Sequence, residues 1–131
     1  MLMRQQLREL RRYGMTIGAH TKTHPILTTL DHDAARNEIV DGRRELEEVI
    51  GERVKVFAYP NGKPKQDYDQ SHVERVRELE FCAAVSTAWG VSDRTSDRYQ
   101  LARFTPWDRD MRRFRLRLAQ NLFRSNESLP S

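Results

Sequence analysis

Segments with helical periodicity alternate along this chain with short apolar runs. Apolar and small residues recur on one face over Asp31–Ile50, which Gly51 ends, and again over Ser71–Glu80. This period is typical of helices that cover an apolar surface. Two apolar runs, Val54–Ala58 and Cys82–Ser86, have the length and composition of buried strands. The alternation predicts an α/β fold with parallel strands joined by covering helices.

Four further segments complete the predicted order of elements. They are a helix over Leu2–Tyr13 ended by Gly14, strands over Met15–Ala19 and Leu101–Thr105, and a helix over Asp108–Arg124. Asp31 or Thr29 is expected to cap the long helix, and Asp69 or Ser71 the following helix. The total is about four strands. Because so small a parallel sheet has two open edges, we expect further strands to precede Met1.

Two histidines four positions apart follow the predicted strand that ends at Ala19. Neutral imidazole is a common protein ligand of divalent metals, so His20 and His24 predict half of a metal site. Pro25 disfavours the α region for His24, which places the pair in a loop at a strand end. Folds of the α/β class carry their chemistry in such loops. The alternative is that both histidines are ordinary surface-loop or capping residues.

A second stretch, Tyr59-Pro60-Asn61-Gly62, ends the predicted strand over Val54–Ala58 abruptly. Such a turn exposes backbone N–H groups at the carboxyl end of the strand. Exposed amides in that position stabilise an oxyanion when an acyl group is attacked. The alternative is a tight turn without a chemical role.

Composition bounds the class of protein. The 131 residues suffice for one domain or part of one, with 37% hydrophobic and 32% charged residues. No apolar run approaches the roughly 18 residues of a membrane span, and Met1–Tyr13 lacks the apolar middle of a signal peptide. The single cysteine, Cys82, lies in an apolar stretch and is expected to be a buried structural thiol. His32 and His72 lie on predicted helices and are expected at the surface.

Arginines are concentrated near the C-terminus of a chain whose net charge is +4. In the last predicted helix, an apolar stripe of Met111, Phe114, Leu118 and Leu122 lies opposite Arg109, Arg113, Arg117 and Arg124. A solvated helix packed on the sheet explains this pattern. A surface that binds nucleic acid or another anionic polymer is the alternative.

Taken together, the two motifs resemble those of the polysaccharide deacetylases, the NodB-homology family of metal-dependent carbohydrate esterases. His20-Thr21-Lys22-Thr23-His24 matches the family's His-Ser/Thr-x-x-His motif, and Phe57-Ala58-Tyr59-Pro60-Asn61-Gly62 matches its Phe-Ala-Tyr-Pro-x-Gly variant. Phe81–Gly90 and Tyr99–Phe104 are similar to the family's late segments, so the resemblance spans roughly residues 5 to 107.

The resemblance implies an incomplete, distorted α/β barrel that removes acetyl groups from sugars with the help of a metal, usually zinc. By this analogy His20 and His24 are metal ligands, and Thr21 supports the loop between them. The backbone N–H of Asn61 is expected to face the oxyanion.

Further residues are candidates for the same site. Tyr59 and Trp89, with Trp107, are expected to stack on sugar rings, unless they complete a core as single aromatic residues more often do. Asp67 follows the turn and is the first candidate for an acidic catalytic or metal-binding role, ahead of Asp31 and Asp69. The alternative for Asp67 is a loop or helix-cap carboxylate.

The chain departs from the family pattern before the first histidine. The family's Thr-Phe-Asp-Asp-Gly motif supplies the base and the third metal ligand, and residues 1–19 contain nothing like it. Glu9 is the one acidic residue in that stretch. The family's terminal Leu-x-His motif is also not evident. We therefore expect this chain alone to deacetylate poorly or not at all.

The sequence thus predicts a truncated, distorted (β/α) barrel of the polysaccharide deacetylase type, with about four strands and covering helices. Residues 1–107 form the partial domain, residues 108–124 the basic helix packed on it, and residues 125–131 a disordered tail. The function that the resemblance implies is metal-dependent removal of acetyl groups from amino sugars of a polysaccharide or glycan, with zinc as the expected divalent metal. The alternative is a non-catalytic module that binds an anionic polymer through the arginine-rich helix. The resemblance alone implies a location at the cell envelope or outside the cytoplasm.

Overall fold

Helices and strands alternate through the middle of the chain, of which the computed structural model describes residues 3–104, 107–123 and 129–130. The helices are α1 (Arg4–Arg12), α2 (His32–Ile50), α3 (Gln70–Glu78) and α4 (Met111–Leu122), with a 3-10 turn at Leu27–Thr29 before α2. The strands are β1 (Val56–Ala58) and β2 (Ala83–Val85). The predicted α/β alternation is confirmed from α2 to β2.

Four chain segments lie side by side in the order in which they occur in the sequence. β1 pairs with β2 in parallel, and Phe57 lies opposite Ala84. Ala19 forms a parallel bridge to Phe57, and Leu101 forms one to Val85. Because all four run in the same direction, their carboxyl ends lie at one edge, here called the carboxyl edge. The histidine loop and the Tyr59–Gly62 turn both start there.

The two predicted outer strands do not form as strands. Over residues 15–19 the described chain makes one bridge, at Ala19, and the last predicted strand contributes Leu101 alone. Thr105, its predicted end, lies outside the described residues. A ladder requires successive residues to be paired with a neighbour, and Met15, which is 56% exposed, has no such pairing here. The parallel α/β arrangement is confirmed, and the barrel stays a prediction.

Helix ends follow the predicted capping residues. Asp31 Oδ1 accepts a hydrogen bond from Ala34 N (2.7 Å), and Gly51 ends α2 with a left-handed φ of 75°. Asp69 rather than Ser71 caps α3, and its carboxylate accepts from the amides of Ser71 and His72. α2 then packs buried Ile39 into a core with the aromatic side chains of β1 and its flanks.

The core lies between the sheet and helices α2 and α3. Its largest fully buried side chains are those of Tyr59, Tyr68, Phe57, Phe81, Leu27 and Ile39. The Tyr59 and Tyr68 rings stack with centroids 3.9 Å apart, and Phe57 contacts Tyr59 edge to face at 5.2 Å. These aromatic contacts fix the β1 end of the carboxyl edge.

Two sequence predictions about single residues are wrong. Cys82 is exposed, because Phe81 is the side chain of this stretch that enters the core, and Cys82 precedes β2. His72 is 6% exposed rather than at the surface, because it reaches back to the start of α3, where its Nδ1 lies 2.7 Å from Asp69 Oδ1. His32, the first residue of α2, is exposed as predicted.

Polar contacts join α1 to α2 and to the residues that follow it. α1 has no buried residue, and Arg8 Nε joins it to α2 by donating to the Val49 carbonyl (2.8 Å), while Arg11 pairs with Glu52. Gly14, with a φ of 83°, follows α1 as predicted.

No helix within the described ranges is both long enough and apolar enough to cross a membrane.

α4 packs on the body through Phe114 of the predicted apolar stripe and through polar residues outside that stripe. Phe114 contacts Phe104 (centroids 6.2 Å apart), Arg117 pairs with Asp108 (2.7 Å), and the buried Asn121 bonds both backbone groups of Gly90. The predicted stripe residues Met111, Leu118 and Leu122 are exposed instead. Apart from Phe114, the residues at the contact are polar side chains with specific partners rather than the apolar residues that periodicity favoured. Arg124 lies outside the described residues.

The predicted disordered tail falls largely on residues 125–128 and 131, which lie outside the described residues. Of the two described tail residues, Pro130 is buried, and its carbonyl accepts a hydrogen bond from Gln100 Nε2 (3.1 Å). This part of the tail is therefore packed on the body.

Candidate metal centre

The two histidines of the candidate metal site lie together at the carboxyl edge. Ala19 is fixed to β1 on both of its backbone groups, since its amide donates to Val56 O and its carbonyl accepts from Ala58 N, each at 2.9 Å. His20 therefore leaves the sheet beside the end of β1. The His20 and His24 rings meet edge to face, with centroids 4.7 Å apart and an interplanar angle of 71°. Both side chains are exposed to solvent.

A backbone carbonyl orients the ring of His20. Its Nδ1 lies 2.7 Å from the carbonyl oxygen of Ala58, the last residue of β1. A carbonyl oxygen only accepts hydrogen bonds, so Nδ1 carries the proton in the neutral ring and Nε2 keeps its lone pair. Metal-binding histidines are commonly held this way, because the second hydrogen bond fixes the tautomer and the ring direction.

Thr21 ties the two ends of the histidine loop to each other. Its hydroxyl donates to the His20 carbonyl (2.6 Å) and accepts from the His24 amide (3.2 Å). Thr21 and His24 both have left-handed backbones, with φ of 62° and 63°. His24 thus avoids the right-handed α region, as Pro25 requires, by turning to positive φ. These contacts are those that a loop-supporting role for Thr21 needs.

Glu38 of α2 holds the middle of the loop, and the sequence analysis did not identify it. Its Oε2 accepts from the amides of Lys22 (3.0 Å) and Thr23 (2.8 Å), while its Oε1 accepts from Thr23 Oγ1 (2.8 Å). The signal available in the sequence was a carboxylate on the loop-facing side of a helix that starts soon after the loop. That signal is common on helices and is not specific.

Gly42, one turn further along α2, lets the loop approach the helix. A Cβ at this position would lie 2.5 Å from the Thr21 carbonyl carbon and 2.7 Å from Lys22 N. These are backbone atoms, so no side-chain rotation would relieve the contact. Lys22 Nζ also reaches Glu45 Oε1 (2.8 Å) on the same helix face. The loop therefore rests on α2 at three successive positions of one face.

The Tyr59–Gly62 turn lies on the neighbouring part of the carboxyl edge. Asn61 and Gly62 have positive φ of 55° and 78°, and the Asn61 carbonyl accepts from Thr87 Oγ1 (2.9 Å). Thr87 N in turn donates to Gly62 O (2.8 Å), which fixes the turn to the residues after β2. No hydrogen bond within the described part of the chain uses the Asn61 amide. The predicted oxyanion role of that amide stays a prediction.

Tyr59 belongs to the core rather than to a substrate surface. It is fully buried, stacks on Tyr68, and donates its hydroxyl proton to the Tyr99 carbonyl (3.0 Å). Burial, with smaller effects of Tyr68 and Asp97, raises the pKa of the Tyr59 hydroxyl well above its ordinary value. The predicted sugar contact of Tyr59 is therefore wrong, and the core alternative holds.

The two tryptophans occupy different settings. Trp89 is half-buried, meets Phe104 edge to face (centroids 6.4 Å apart), and lines a cavity of about 450 Å³ against α4, beside Arg113 and Gln120. Trp107 is 86% exposed, so it completes no core. The predicted contact of either ring with a sugar stays a prediction.

The acidic candidates have structural partners. Asp67 is buried, and its Oδ2 accepts from Lys63 N (2.8 Å) in the loop after the turn. Asp31 and Asp69 cap α2 and α3. Across residues 3–104, 107–123 and 129–130, no three His, Cys, Asp or Glu side chains lie together as a metal-holding group. The part of the chain that is described thus offers the two imidazoles as a pair, and Asp67 has the contacts of a loop carboxylate.

The sequence of this chain was compared with those of known protein families and proteins. Residues 3–84 match the sequence profile of the family described as Polysaccharide deacetylase. YxkH of Bacillus subtilis (strain 168) is 22% identical over 102 residues, which cover 78% of this chain and 35% of that protein. The chain therefore spans about a third of the length of this curated relative.

Solved structures share the fold. The Streptococcus pyogenes deacetylase PplD in complex with acetate superposes with a TM-score of 0.72 at 24% identity, covering 79% of this chain and 44% of that chain. BC0361, a polysaccharide deacetylase from Bacillus cereus, superposes with a TM-score of 0.64 at 21% identity, covering 78% and 31%. Because the family profile also matches more than half of the sequence, this chain belongs to the polysaccharide deacetylase family.

Proposed function

We propose that this chain supplies the two-histidine part of the metal site of a polysaccharide deacetylase, a hydrolase that removes acetyl groups from amino sugars. The observation that carries the proposal is the pairing of His20 and His24, with ring centroids 4.7 Å apart at the carboxyl edge. The hydrogen bond from His20 Nδ1 to Ala58 O supports it, because that bond leaves Nε2 for a metal.

Imidazole nitrogens are suitable ligands for a divalent metal, but His20 and His24 provide only two of them. Two imidazoles suit zinc, whereas catalytic zinc sites ordinarily use three protein ligands. When bound, such an ion polarises an acetyl carbonyl and lowers the pKa of water. In this proposal His20 and His24 hold the ion, and the backbone amide of Asn61 stabilises the oxyanion that develops on the acetyl group.

The activity of this chain by itself is proposed to be weak. A site with two of three ligands binds its ion less tightly, and the described residues hold no third acidic ligand or base beside the pair. We therefore expect little zinc-dependent acetate release from acetylated chitooligosaccharides. Robust release by the purified chain would contradict this part of the proposal without touching the metal site itself.

Calorimetric zinc titration tests the metal site. The chain is expected to bind one Zn²⁺, and His20→Ala and His24→Ala are each expected to weaken binding by at least about tenfold, because each removes one of two ligands. His32→Ala is the matched control, since His32 is exposed at the start of α2 and should leave binding unchanged. Equal zinc affinity in the wild type and both loop variants would overturn the proposal.

A second candidate function rests on the charge of α4. Arg112, Arg113 and Arg115 are exposed, and Met111–Leu122 contains no acidic residue. Such a surface attracts polyanions. If it serves as a polymer-binding module, heparin binding will weaken steeply with salt, ignore chelators, and be lost when the three arginines are changed to glutamine. Heparin binding that survives the triple change would exclude this candidate.

A further inference from the structure

The loop between the two histidines is held by β1, by its own Thr21 and by a side chain of α2. His20 is held by the Ala58 carbonyl, and Thr21 bonds to the His24 amide. The two residues between these points, Lys22 and Thr23, are held through their backbone amides by the Glu38 carboxylate. We propose that Glu38 is a positioning residue of the metal site, which sets the separation of the two imidazoles by clamping this middle segment.

The clamp is suited to the backbone that it holds. The left-handed residues Thr21 and His24 flank the segment, and successive amides in such a turn converge to form a concave site for an anion. The half-buried Glu38 carboxylate fills that site with three hydrogen bonds, two from amides and one from the Thr23 hydroxyl. Hydrogen bonds to an ionised carboxylate are stronger than those between neutral groups.

The position of Glu38 on α2 makes the clamp rigid. At Gly42, one turn on, the backbone of Thr21 and Lys22 occupies the space that a Cβ would need, so the segment lies close to the helix face that carries the carboxylate. A ring that starts from a fixed backbone keeps its direction, whereas a loop held only at its ends would let His24 move relative to His20. The clamp thus pre-organises the pair for one shared ion.

This inference rests on the proposed metal site, and its test uses two readouts. In the metal-free protein, Glu38→Ala is expected to speed hydrogen exchange of the Lys22 and Thr23 amides by at least about tenfold. In a Zn²⁺ titration, the same variant is expected to weaken binding by about 10- to 100-fold, the usual loss for a residue that supports a ligand. Glu38→Gln keeps one acceptor oxygen for both amides and should retain most of the affinity and protection.

Two controls separate positioning from general stability. Glu45→Gln removes only the partner of the Lys22 ammonium group and should leave both readouts unchanged. Asp31→Ala removes the α2 cap and lowers stability, yet it should leave zinc affinity within about threefold. Unchanged exchange or unchanged zinc affinity in Glu38→Ala, while the wild type binds zinc, overturns the inference. A wild type that binds no zinc overturns the proposed function, and the metal role of Glu38 with it.

Discussion

The Nδ1 atom of His20 lies 2.7 Å from the Ala58 carbonyl oxygen, so the first histidine of the loop is oriented by the last residue of β1. This contact joins the loop to the sheet through Nδ1 of the ring, while the other ring nitrogen, Nε2, is the proposed metal ligand. The tautomer of one ring is set by backbone geometry rather than by another side chain.

The first prediction concerns that tautomer. In long-range ¹H–¹⁵N spectra, the neutral imidazole ring of His20 is expected to carry its proton on Nδ1, since Ala58 O accepts a hydrogen bond from it. Added Zn²⁺ should shift the Nε2 resonance of His20 strongly and leave Nδ1 protonated. The ring of His32 serves as an internal control and should not respond. A His20 ring protonated on Nε2 would contradict the geometry described here.

The second prediction concerns Gly42. Gly42→Ala places a methyl group 2.5 Å from the Thr21 backbone, so the loop must shift. We expect a loss of about 1–3 kcal/mol in the free energy of unfolding, with zinc binding weakened by about tenfold. Urea unfolding and zinc titration measure the two effects.

Gly51→Ala, at the C-terminal cap of the same helix, is the control. Its φ of 75° is unfavourable for alanine, but a Cβ there meets no atom within 4 Å. It should lower stability by about 1–2 kcal/mol through backbone strain and leave zinc affinity unchanged. Equal zinc affinities in Gly42→Ala and the wild type would show that the loop tolerates the added methyl group.

The third prediction concerns acid stability. Burial acts to raise the pKa of Asp69, but hydrogen bonds from Ser71 and the charge and hydrogen bonds of His72 outweigh it, so the pKa lies below its ordinary value of 3.8. A carboxyl group with a lower pKa in the folded state stabilises the protein above its unfolded pKa. That stabilisation is lost as the pH falls below this ordinary value and through the folded pKa.

Substitutions at Asp69 test this dependence. Asp69→Ala is expected to lower the free energy of unfolding by about 1 kcal/mol at pH 7, because α3 loses its cap. Asp69→Asn keeps a capping oxygen and should lose less at pH 7. Both variants should lose less stability than the wild type on acidification from pH 5 to 2. Parallel pH profiles for all three proteins would exclude the role assigned to Asp69.

The fourth prediction concerns Cys82. Because its side chain is exposed, a thiol reagent such as dithionitrobenzoate should modify it in the folded protein at a rate close to that in urea. Cys82→Ser should change the free energy of unfolding by less than about 0.5 kcal/mol, as is usual at a surface position. Modification of Cys82 only after unfolding would show that its thiol is buried, as the sequence analysis predicted.

Sequence reasoning succeeded where a local rule decides the structure. The caps Asp31 and Gly51 and the course of α2 between them follow from side-chain hydrogen bonding and backbone freedom, which are properties of a few neighbouring residues. The meeting of His20 and His24 likewise follows from a short loop, which starts where Ala19 bridges to β1. These features require no knowledge of distant contacts.

Sequence reasoning failed where a distant partner decides the structure. Tyr59 is buried because Tyr68 and Tyr99 receive its ring and its hydroxyl, and neither contact is visible in the turn motif itself. Glu38 acts on a loop 15 and 16 residues away, through backbone amides that carry no sequence signal. Local patterns could therefore indicate that the two histidines lie together, while the groups that hold their loop could be identified only from the three-dimensional structure.

The contacts of Glu38, Gly42 and Glu45 with the histidine loop all come from the middle of α2, which spans His32–Ile50. Helices fray from their ends, and fraying of either end of α2 would not reach these three positions. On warming, the proposed metal binding is expected to persist until the central turns of the helix unwind. Zinc affinity and far-ultraviolet ellipticity are then expected to vanish in one cooperative transition.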